Sequence, residues 1–255
     1  MDFLVAYDTD KGIRKTTNQD SFCIKVAESL KEKISFVILC DGMGGLSKGE
    51  LASATVIRRF SLWFDINMER LLKEELSSEI LRKEWEEIIL EQNGIISNYG
   101  KRHGEKLGTT LVALLIKNNF YYAINIGDSR IYEIYDSVKQ ITKDHTLVAR
   151  EIERGNITEE QAINDPRKSV LLQCVGASNT IDLDFFVNKI KKDSLFLICS
   201  DGFRNKISKK ELFDVFNPKT LYSQEILKSK IRELIELNKV RKELDNITAI
   251  AIKVY

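Results

Sequence analysis

The sequence predicts an α+β fold built on antiparallel sheets, and three observations support this prediction. Short apolar runs rich in β-branched and aromatic residues, which are typical of strands, follow one another in groups along the chain. Two long segments with apolar residues at helical spacing lie between these groups instead of alternating with single strands. The composition, 43% hydrophobic and 30% charged, is that of an ordinary globular protein. Grouped strands and grouped helices are typical of α+β proteins and not of repeated βαβ units.

The N-terminal part of the chain contains three predicted strands and then two predicted helices. The strands are placed at residues 3–9, 21–26 and 34–40, and the helices at residues 50–72 and 78–98. Both helices carry apolar residues three or four positions apart, which indicates one buried face each. These residues are Ala52, Val56, Phe60 and Phe64 in the first helix and Leu81, Trp85, Ile88 and Ile89 in the second.

The rest of the chain contains a second and a third group of strands, separated by short helices. The predicted strands lie at residues 109–116, 120–126, 129–135, 182–187, 195–199 and 246–254. The predicted helices lie at residues 146–154, 158–163 and 223–237. Capping boxes, which mark helix starts, are present at Thr158-x-x-Gln161 and Ser208-x-x-Glu211. With two prolines in all and no Gly/Ser-rich linker, residues 1–255 are predicted to form a single domain.

Charge and cysteine content exclude several classes of protein. Lys+Arg number 39 and Asp+Glu 38, so the net charge of +1 gives no electrostatic reason to expect a nucleic acid or membrane partner. No apolar stretch approaches 18 residues, and the first residues lack the pattern of a signal peptide. The cysteines Cys23, Cys40, Cys174 and Cys199 are scattered and form no C-x-x-C pair, so free thiols in a reducing, cytoplasmic location are expected.

Four aspartates stand at the edges of predicted strands. Asp41 and Asp201 each follow an apolar run and precede glycine, Asp128 follows such a run and a glycine, and Asp245 precedes the last strand. Each one alone could be a turn residue, since Asp-Gly is a common turn dipeptide. Together they predict a site for hard cations, because Mg²⁺ and Mn²⁺ prefer carboxylate and carbonyl oxygens.

Six short motifs carry a resemblance to a known family. They are Asn18-Gln19-Asp20, Asp41-Gly42-Met43-Gly44-Gly45, Gly108-Thr109-Thr110, Gly127-Asp128-Ser129-Arg130, Ser200-Asp201-Gly202 and Asp245-Asn246. In this order and spacing, over residues 5–254, the chain resembles the metal-dependent protein phosphatases of type 2C in their compact bacterial form. Each motif alone is weak, but six in order are specific.

The resemblance implies a fold, a reaction and a set of ligands. It implies two stacked antiparallel sheets flanked on both sides by helices, and hydrolysis of phosphoserine and phosphothreonine in proteins by a hydroxide bridging two Mg²⁺ or Mn²⁺ ions. Asp41 is similar to the bridging ligand, Gly42 to a carbonyl ligand, and Asp201 and Asp245 to ligands of the first ion. Asp128 is similar to a ligand of a third, weaker ion. Asp20 resembles a carboxylate that orients the reacting water without touching an ion.

The chain departs from the family pattern at the residue expected to bind the phosphate and at the residue expected to protonate the leaving group. The family's phosphate-binding arginine corresponds to Lys15, with Arg14 one residue earlier, so either can serve or both can be solvated surface cations. Met43 and Leu46 stand where many relatives carry a histidine that could act as an acid. The two histidines, His103 and His145, are expected to be solvated and structural, respectively.

Two further features concern the edge of the site. Gln19 replaces a glutamate that some relatives direct at the second ion, so it is expected to act indirectly through water, if at all. A polar segment at about residues 146–168 matches the family's flap and is expected to select protein substrates, with an ordinary surface loop as the alternative.

The leading functional hypothesis is a phosphatase that reverses a serine/threonine kinase. The alternatives are a weakly active or non-catalytic member used for binding or regulation, and a phosphatase dedicated to one regulatory protein.

Overall fold

Two antiparallel sheets form the centre of the structure, a computed structural model that describes residues 1–44 and 48–255. Gly45 of the glycine-rich motif and Leu46, which follows it, therefore lie outside the described residues. The strands are β1 (Phe3–Asp10), β2 (Asp20–Glu28), β3 (Lys33–Gly44), β4 (Leu107–Thr109), β5 (Leu111–Lys117), β6 (Phe120–Ile126), β7 (Arg130–Ile134), β8 (Val138–Gln140), β9 (Asp184–Lys189), β10 (Leu195–Cys199) and β11 (Ile247–Val254). One sheet has the order β1-β11-β10-β7-β8, and the other β2-β3-β5-β6-β9, with β4 paired to β3.

Helices pack on the outer faces of both sheets. The helices of the structure are α1 (Lys48–Lys73), α2 (Ser78–His103), α3 (Leu147–Glu153), α4 (Glu159–Ile163), α5 (Asp201–Arg204), α6 (Lys209–Val215) and α7 (Gln224–Val240). The apolar faces of α1 and α2 pack on β3, β5 and β6, and those of α6 and α7 pack on β7, β10 and β11. A third apolar cluster, drawn from both sheets, fills the space between them. The predicted α-β-β-α sandwich is therefore confirmed.

Side-chain alternation along β3 shows how one strand serves two cores. Phe36 and Ile38 point toward the helices, whereas Val37 and Leu39 point into the space between the sheets. Because successive strand residues face opposite sides, a continuous apolar run is required where both faces are covered. This explains why the buried strands read as unbroken apolar runs in the sequence.

The structure corrects the predicted end of the third strand. Strand β3 continues past residue 40 to Gly44, because its last residues leave the ladder with β5 and pair with β4. Asp41 therefore lies within a strand and is not a turn residue. The predicted strand at residues 109–116 is divided at Thr110, whose backbone N–H donates to the Asp41 carbonyl at 2.9 Å.

Other differences concern element ends and short elements. Helix α2 continues five residues beyond its predicted end to His103, with basic residues in its last turn and Gly104 in the left-handed conformation as its cap. The prediction missed β8 and α5, which are too short to show periodicity. Within the described ranges, no helix is long and apolar enough to cross a membrane. The single domain, the flap at about residues 146–168 and the cytoplasmic location stay predictions.

The aromatic centre of the helical layer generates a stability prediction. Trp85 is fully buried, and its ring centroid lies 5.5 to 6.3 Å from those of Phe36, Phe60, Trp63 and Phe185. Trp85→Ala should lower the free energy of unfolding by about 3–5 kcal/mol, because it removes these contacts and leaves a cavity. Urea denaturation would measure the loss. Leu62→Ala on the exposed face of α1 is the control, and an equal loss in both variants would contradict the prediction.

Candidate active site

The space between the sheets changes from apolar to polar at one end. Val37 and Leu39 of β3 belong to the inter-sheet core, so Asp41, two residues further, faces the same side. The same alternation places Asp20 of β2 beyond Phe22 and Ile24. On the facing sheet it places Ser200 beyond Ile198 and Thr248 beyond Ile250. Each strand therefore delivers a polar side chain to the same end of the sandwich.

Thr109 and Thr110, at the break between β4 and β5, hold the backbone of Asp41 in place. Its N–H donates to Thr110 Oγ1 at 3.0 Å, and its carbonyl accepts from Thr110 N and Thr109 Oγ1, each at 2.9 Å. Asp20 is its Cα partner on β2. The side chain of Asp41 lines the cavity at this end of the sandwich. The Gly-Thr-Thr motif thus acts by holding Asp41 in position.

The structure brings the four predicted metal-binding aspartates together. Asp41, Asp128, Asp201 and Asp245 all line one cavity of about 460 Å³. Asp201 is the first residue of α5 and follows β10, and Asp245 stands two residues before β11. Asp201 and Asp245 lie close to each other because β10 and β11 are neighbours in one sheet. Asp41 belongs to the facing sheet and reaches them across the space between the sheets.

Crowding of carboxylates in this cavity makes their ionisation unfavourable. Burial raises the pKa of Asp20 to about 7, and the charges of Asp201 and Asp245 add to this against hydrogen bonds from Thr248 and Ser200. Burial together with Asp20 and Asp201 raises the pKa of Asp41 well above its usual value. A cluster of this kind binds protons or cations.

Burial and neighbouring charges also raise the pKa values of Asp128 and Asp201. Burial and the charge of Asp201 raise the pKa of Asp128 to about 7, although Arg204 opposes this. Burial also raises the pKa of Asp201, again against Arg204 and with help from Asp245.

Gly42 lies where no side chain fits. A Cβ at this position would stand 2.2 Å from the Gly49 carbonyl oxygen on α1 and 2.7 Å from the Gln19 carbonyl oxygen. Neither backbone atom can give way cheaply, so glycine is required by the close approach of α1 to β3. The contact fixes the helix start beside the strand that carries Asp41.

The loop before β2 is held by Asn246. Its Oδ1 accepts from Gln19 N at 2.9 Å, and its Nδ2 donates to the carbonyls of Lys11 and Thr17, each at 3.0 Å. These bonds position the loop that carries both predicted phosphate-binding residues. Lys15 Nζ lies 2.7 Å from Asp245 Oδ1.

The environment of Lys15 favours its charged form. Burial acts against its charge, but the hydrogen bond that Lys15 donates to Asp245 and the charges of Asp245, Asp41 and Asp201 raise the pKa of Lys15 overall. Arg14 and Lys15 line a second cavity, of about 290 Å³, together with Asp201 and Asp245. Both predicted phosphate-binding residues therefore reach the edge of the carboxylate cluster, and the choice between them stays open.

Arg204 forms an ion-pair network beside Asp128 that the sequence reasoning missed. Its Nη2 donates to the Asp128 carbonyl at 3.0 Å and lies 3.3 Å from Asp128 Oδ2 and 3.4 Å from Asp144 Oδ2. Arg130 holds Asp144 through two further hydrogen bonds, at 2.8 and 2.6 Å. The predicted ligand of a third ion therefore already has a cationic partner.

Neither histidine lines the cavity that contains the four aspartates. His145 Nδ1 accepts from Gly127 N at 3.2 Å, and its Nε2 lies 3.0 Å from Asp184 Oδ2. This bridge is structural, as expected. His103 is exposed at the end of α2, with its Nδ1 2.8 Å from the Tyr99 carbonyl oxygen. Met43 lines the cavity with Asp41.

Gln19 contributes through its backbone. Its carbonyl accepts from Gly42 N at 3.1 Å and from Ser53 Oγ at 2.7 Å, and it thereby ties β2 to β3 and α1. An indirect role through water stays a prediction.

The carboxylate cluster fits hard divalent cations by its chemistry. Within residues 1–44 and 48–255, no three His, Cys, Asp or Glu side chains are grouped closely enough to form a complete metal centre. Mg²⁺ keeps several waters, so carboxylates of a site that are too far from the ion for direct contact can bind it through water. Asp20 Oδ1 and Asp201 Oδ1 are buried and, among the described residues, have no hydrogen-bond partner. Such oxygens require a cation or water.

Sequence reasoning named Ser200 and Asn246 only as motif members without a role, and it missed Thr248 and Arg204. Ser200 Oγ donates to Asp20 Oδ2 at 3.0 Å and so joins the two sheets at the site. The strand alternation that predicts the buried positions could have identified Ser200 and Thr248, since both extend the inter-sheet face. No comparable signal exists for Arg204, whose partner Asp128 is 76 residues away.

Comparison with known proteins places this geometry in a family. The sequence profile described as Protein phosphatase 2C matches residues 12–237. The serine/threonine phosphatase stp of Listeria welshimeri serovar 6b is 33% identical over 221 residues, which cover 86% of this chain and 84% of that protein.

Solved structures show the same relationship. The S. agalactiae serine/threonine phosphatase matches with a TM-score of 0.83 at 30% identity, covering 99% of this chain and 100% of that chain. The catalytic domain of the serine/threonine protein phosphatase PstP, solved in complex with two manganese ions, matches with a TM-score of 0.76 at 26% identity, covering 99% of each chain. The chain belongs to the protein phosphatase 2C family.

Proposed function

We propose that this protein hydrolyses phosphoserine and phosphothreonine in proteins with the help of Mn²⁺ or Mg²⁺. The observation that carries the proposal is the convergence of Asp41, Asp128, Asp201 and Asp245 on one cavity beside Arg14 and Lys15. Carboxylates hold the cations, and the basic side chains lie where a phosphate approaches them. Membership of a phosphatase family supports the same activity.

Each residue has a distinct part in holding two cations. Asp41 is proposed to bridge them, the Gly42 carbonyl to bind the second, and Asp201 and Asp245 to bind the first. When bound, the two cations lower the pKa of water toward neutrality and offset charge on the phosphoryl oxygens. The manganese found in the PstP structure supports this choice of metal.

Asp20 and the basic residues position the reactants. Ser200 Oγ holds Asp20 Oδ2 at 3.0 Å, which leaves the other carboxylate oxygen to accept a hydrogen bond from a water. A phosphate entering the cavity would compete with Asp245 for Lys15, because both are anions. Arg14 offers a planar guanidinium for the same task.

The cysteines support direct hydrolysis without a cysteinyl intermediate. Cys40 and Cys199 are fully buried, and burial raises the pKa of the Cys199 thiol to about 12. Burial also raises the pKa of Cys40 well above its usual range, and it raises the pKa of Cys174, the cysteine that lines the cavity. The thiolate is the nucleophilic form, so these residues are inert.

A weakly active or non-catalytic protein is the second candidate. It is favoured by the positions of His103 and His145, which hydrogen-bond elsewhere and leave Met43 at the cavity. General-acid help contributes about 10²–10⁴-fold, so hydrolysis without it would be slow. Under the leading proposal, a serine/threonine kinase that phosphorylates the same proteins acts in opposition.

Metal-dependent turnover is the first prediction from this proposal. The protein should hydrolyse p-nitrophenyl phosphate with Mn²⁺ and lose that activity in EDTA. Asp41→Ala and Asp201→Ala should each reduce turnover about 10²-fold or more, because each removes an oxygen ligand. Asp136→Ala, an exposed aspartate in the β7–β8 turn, is the matched control. Equal turnover in all three variants would falsify the proposed site.

The metal-free protein should lose stability as the pH rises. Asp20 and Asp128 have pKa values raised from 3.8 to about 7, so the folded state binds more protons than the unfolded state between those values. The extra protons stabilise the folded state fully below about pH 4, and this stabilisation is lost as the pH rises through about 7. For one such carboxyl, the loss in the free energy of unfolding amounts to up to about 4 kcal/mol. Urea unfolding in EDTA at pH 5 and pH 8 measures the difference.

A matched pair of variants assigns this pH dependence to the site. Asp20→Asn should raise the stability of the metal-free protein at pH 8 and reduce its change with pH, whereas Asp136→Asn should leave both unchanged. A metal-free protein as stable at pH 8 as at pH 5 would contradict the argument.

Asp128 is proposed to hold a third ion only when Arg204 moves away from it. Arg204→Met should therefore strengthen binding of a third Mn²⁺ by about tenfold, because the ion no longer competes with a guanidinium 3.3 Å from Asp128. Calorimetric titration gives the number of ions bound and their affinities, and thermal denaturation checks folding. Arg204→Lys retains the charge and is the control. Unchanged third-ion affinity in Arg204→Met would contradict the competition.

A further inference from the structure

The carboxylate cluster lies between two cavities of opposite character. Asp201, Asp245 and Ser169 line both of them. The larger cavity, of about 460 Å³, contains no Lys or Arg among the described residues that line it. The smaller cavity, of about 290 Å³, is lined by five basic side chains: Arg14, Lys15, Lys168, Lys206 and Lys242. A chain passing over the metal ligands would therefore meet different surroundings on its two sides.

The described lining of the larger cavity offers no cation to a second anionic side chain. Besides the carboxylates, its wall includes Met43, Leu171, Leu172, Cys174 and Ala177. An anionic side chain placed here would lose hydration and face the carboxylates without gaining a cationic partner. This side of the site therefore disfavours an anionic residue next to the phosphorylated one.

The basic cavity has more positive charge than a single phosphate requires. Three carboxylates face its five cations, and Asp201 and Asp245 among them are the proposed ligands of divalent ions. The third, Glu243, accepts hydrogen bonds from the backbone N–H groups of Leu244 and Asp245, at 2.8 and 3.2 Å. Its charge is thus stabilised by the backbone, and a net positive surface remains.

Three of these cations stand apart from the predicted phosphate-binding pair. Lys168, Lys206 and Lys242 are exposed, and within the described ranges none of them takes part in an ion pair. Lys168 Nζ donates only a long hydrogen bond, at 3.3 Å, to the Ile163 carbonyl. They come from the segment after α4, the segment after α5 and the turn before β11, so three separate segments present positive charge to one cavity.

We propose that this protein prefers phosphopeptides with an anionic side chain on one side of the phosphorylated residue and no anionic side chain on the other. The proposal rests on the proposed phosphatase activity and names the substrate class of that site. Lys168, Lys206 and Lys242 bind the second anion, a carboxylate or another phosphate, while Arg14 and Lys15 remain for the scissile phosphate. Lysine serves as a point charge for both kinds of anion.

A panel of phosphothreonine peptides tests the preference. The peptides carry Glu, phosphoserine, Lys or Ala at the positions before or after the phosphothreonine, and kcat/KM is measured with the Mn²⁺-loaded full chain. Glu or phosphoserine on one side should raise kcat/KM about three- to tenfold over Ala, mainly through KM, since exposed ion pairs are individually weak. The advantage should shrink in 0.5 M salt because of screening. Equal kcat/KM for all flanks would overturn the proposal.

Charge-matched variants assign the preference to the cavity. In the triple variant Lys168→Ala, Lys206→Ala, Lys242→Ala, the ratio of kcat/KM for acidic-flanked peptides to kcat/KM for alanine-flanked peptides should fall to about 1. In the variant with Glu at the same three positions, peptides with Lys flanks should become the better substrates. The control removes three exposed lysines outside both cavities: Lys189→Ala, Lys192→Ala and Lys219→Ala. A ratio that is retained in the cavity variants would overturn the assignment.

A binding measurement separates this proposal from the activity on which it rests. Fluorescence anisotropy with labelled peptides carrying a phosphonate analogue of phosphothreonine reports affinity without turnover. Failure to hydrolyse any substrate would refute the phosphatase activity, whereas equal affinity for acidic- and alanine-flanked peptides would refute the anionic subsite. Tighter binding of the acidic peptides, lost in the lysine variants, supports the subsite in either case.

Discussion

Face-to-face packing of the two sheets determines where the carboxylates of this protein lie. The inter-sheet layer is apolar along most of its length and ends in Asp20, Asp41, Ser200 and Thr248. The strands that carry these residues are held in ladders, so the carboxylates cannot separate without loss of backbone hydrogen bonds. Their mutual repulsion is therefore built into the fold, and a cation is what relieves it.

Two side-chain cations already meet part of this need. Lys15 lies against Asp245, and Arg204 lies against Asp128. Lys15 comes from a loop, and Arg204 ends the short helix α5, so both can shift without disturbing a sheet. The site thus combines anions on strands or close to strand ends with cations from a loop and a short helix. Such a combination suits a pocket that exchanges metal ions and phosphate groups.

Sequence alone predicted most strands and the identities of the clustered aspartates, because apolar runs and the residues at their ends are local signals. It placed Asp41 directly after the end of a strand, whereas β3 continues because β4 offers a second partner. It also missed Arg204 and Asn246 as contributors. Their contacts join residues 76 and 227 positions apart, and no local pattern encodes such a distance.

The position of β11 has a consequence for the synthesis of this protein. Strand β11 lies between β1 and β10, so β1 has no neighbour in its sheet until residues more than 200 positions later have been made. Asn246, which holds the loop of Lys15, likewise bonds to a carbonyl 235 positions earlier. A nascent chain therefore carries an incomplete sheet with an open edge and no assembled site. The carboxylate site can therefore assemble only after β11 has been made.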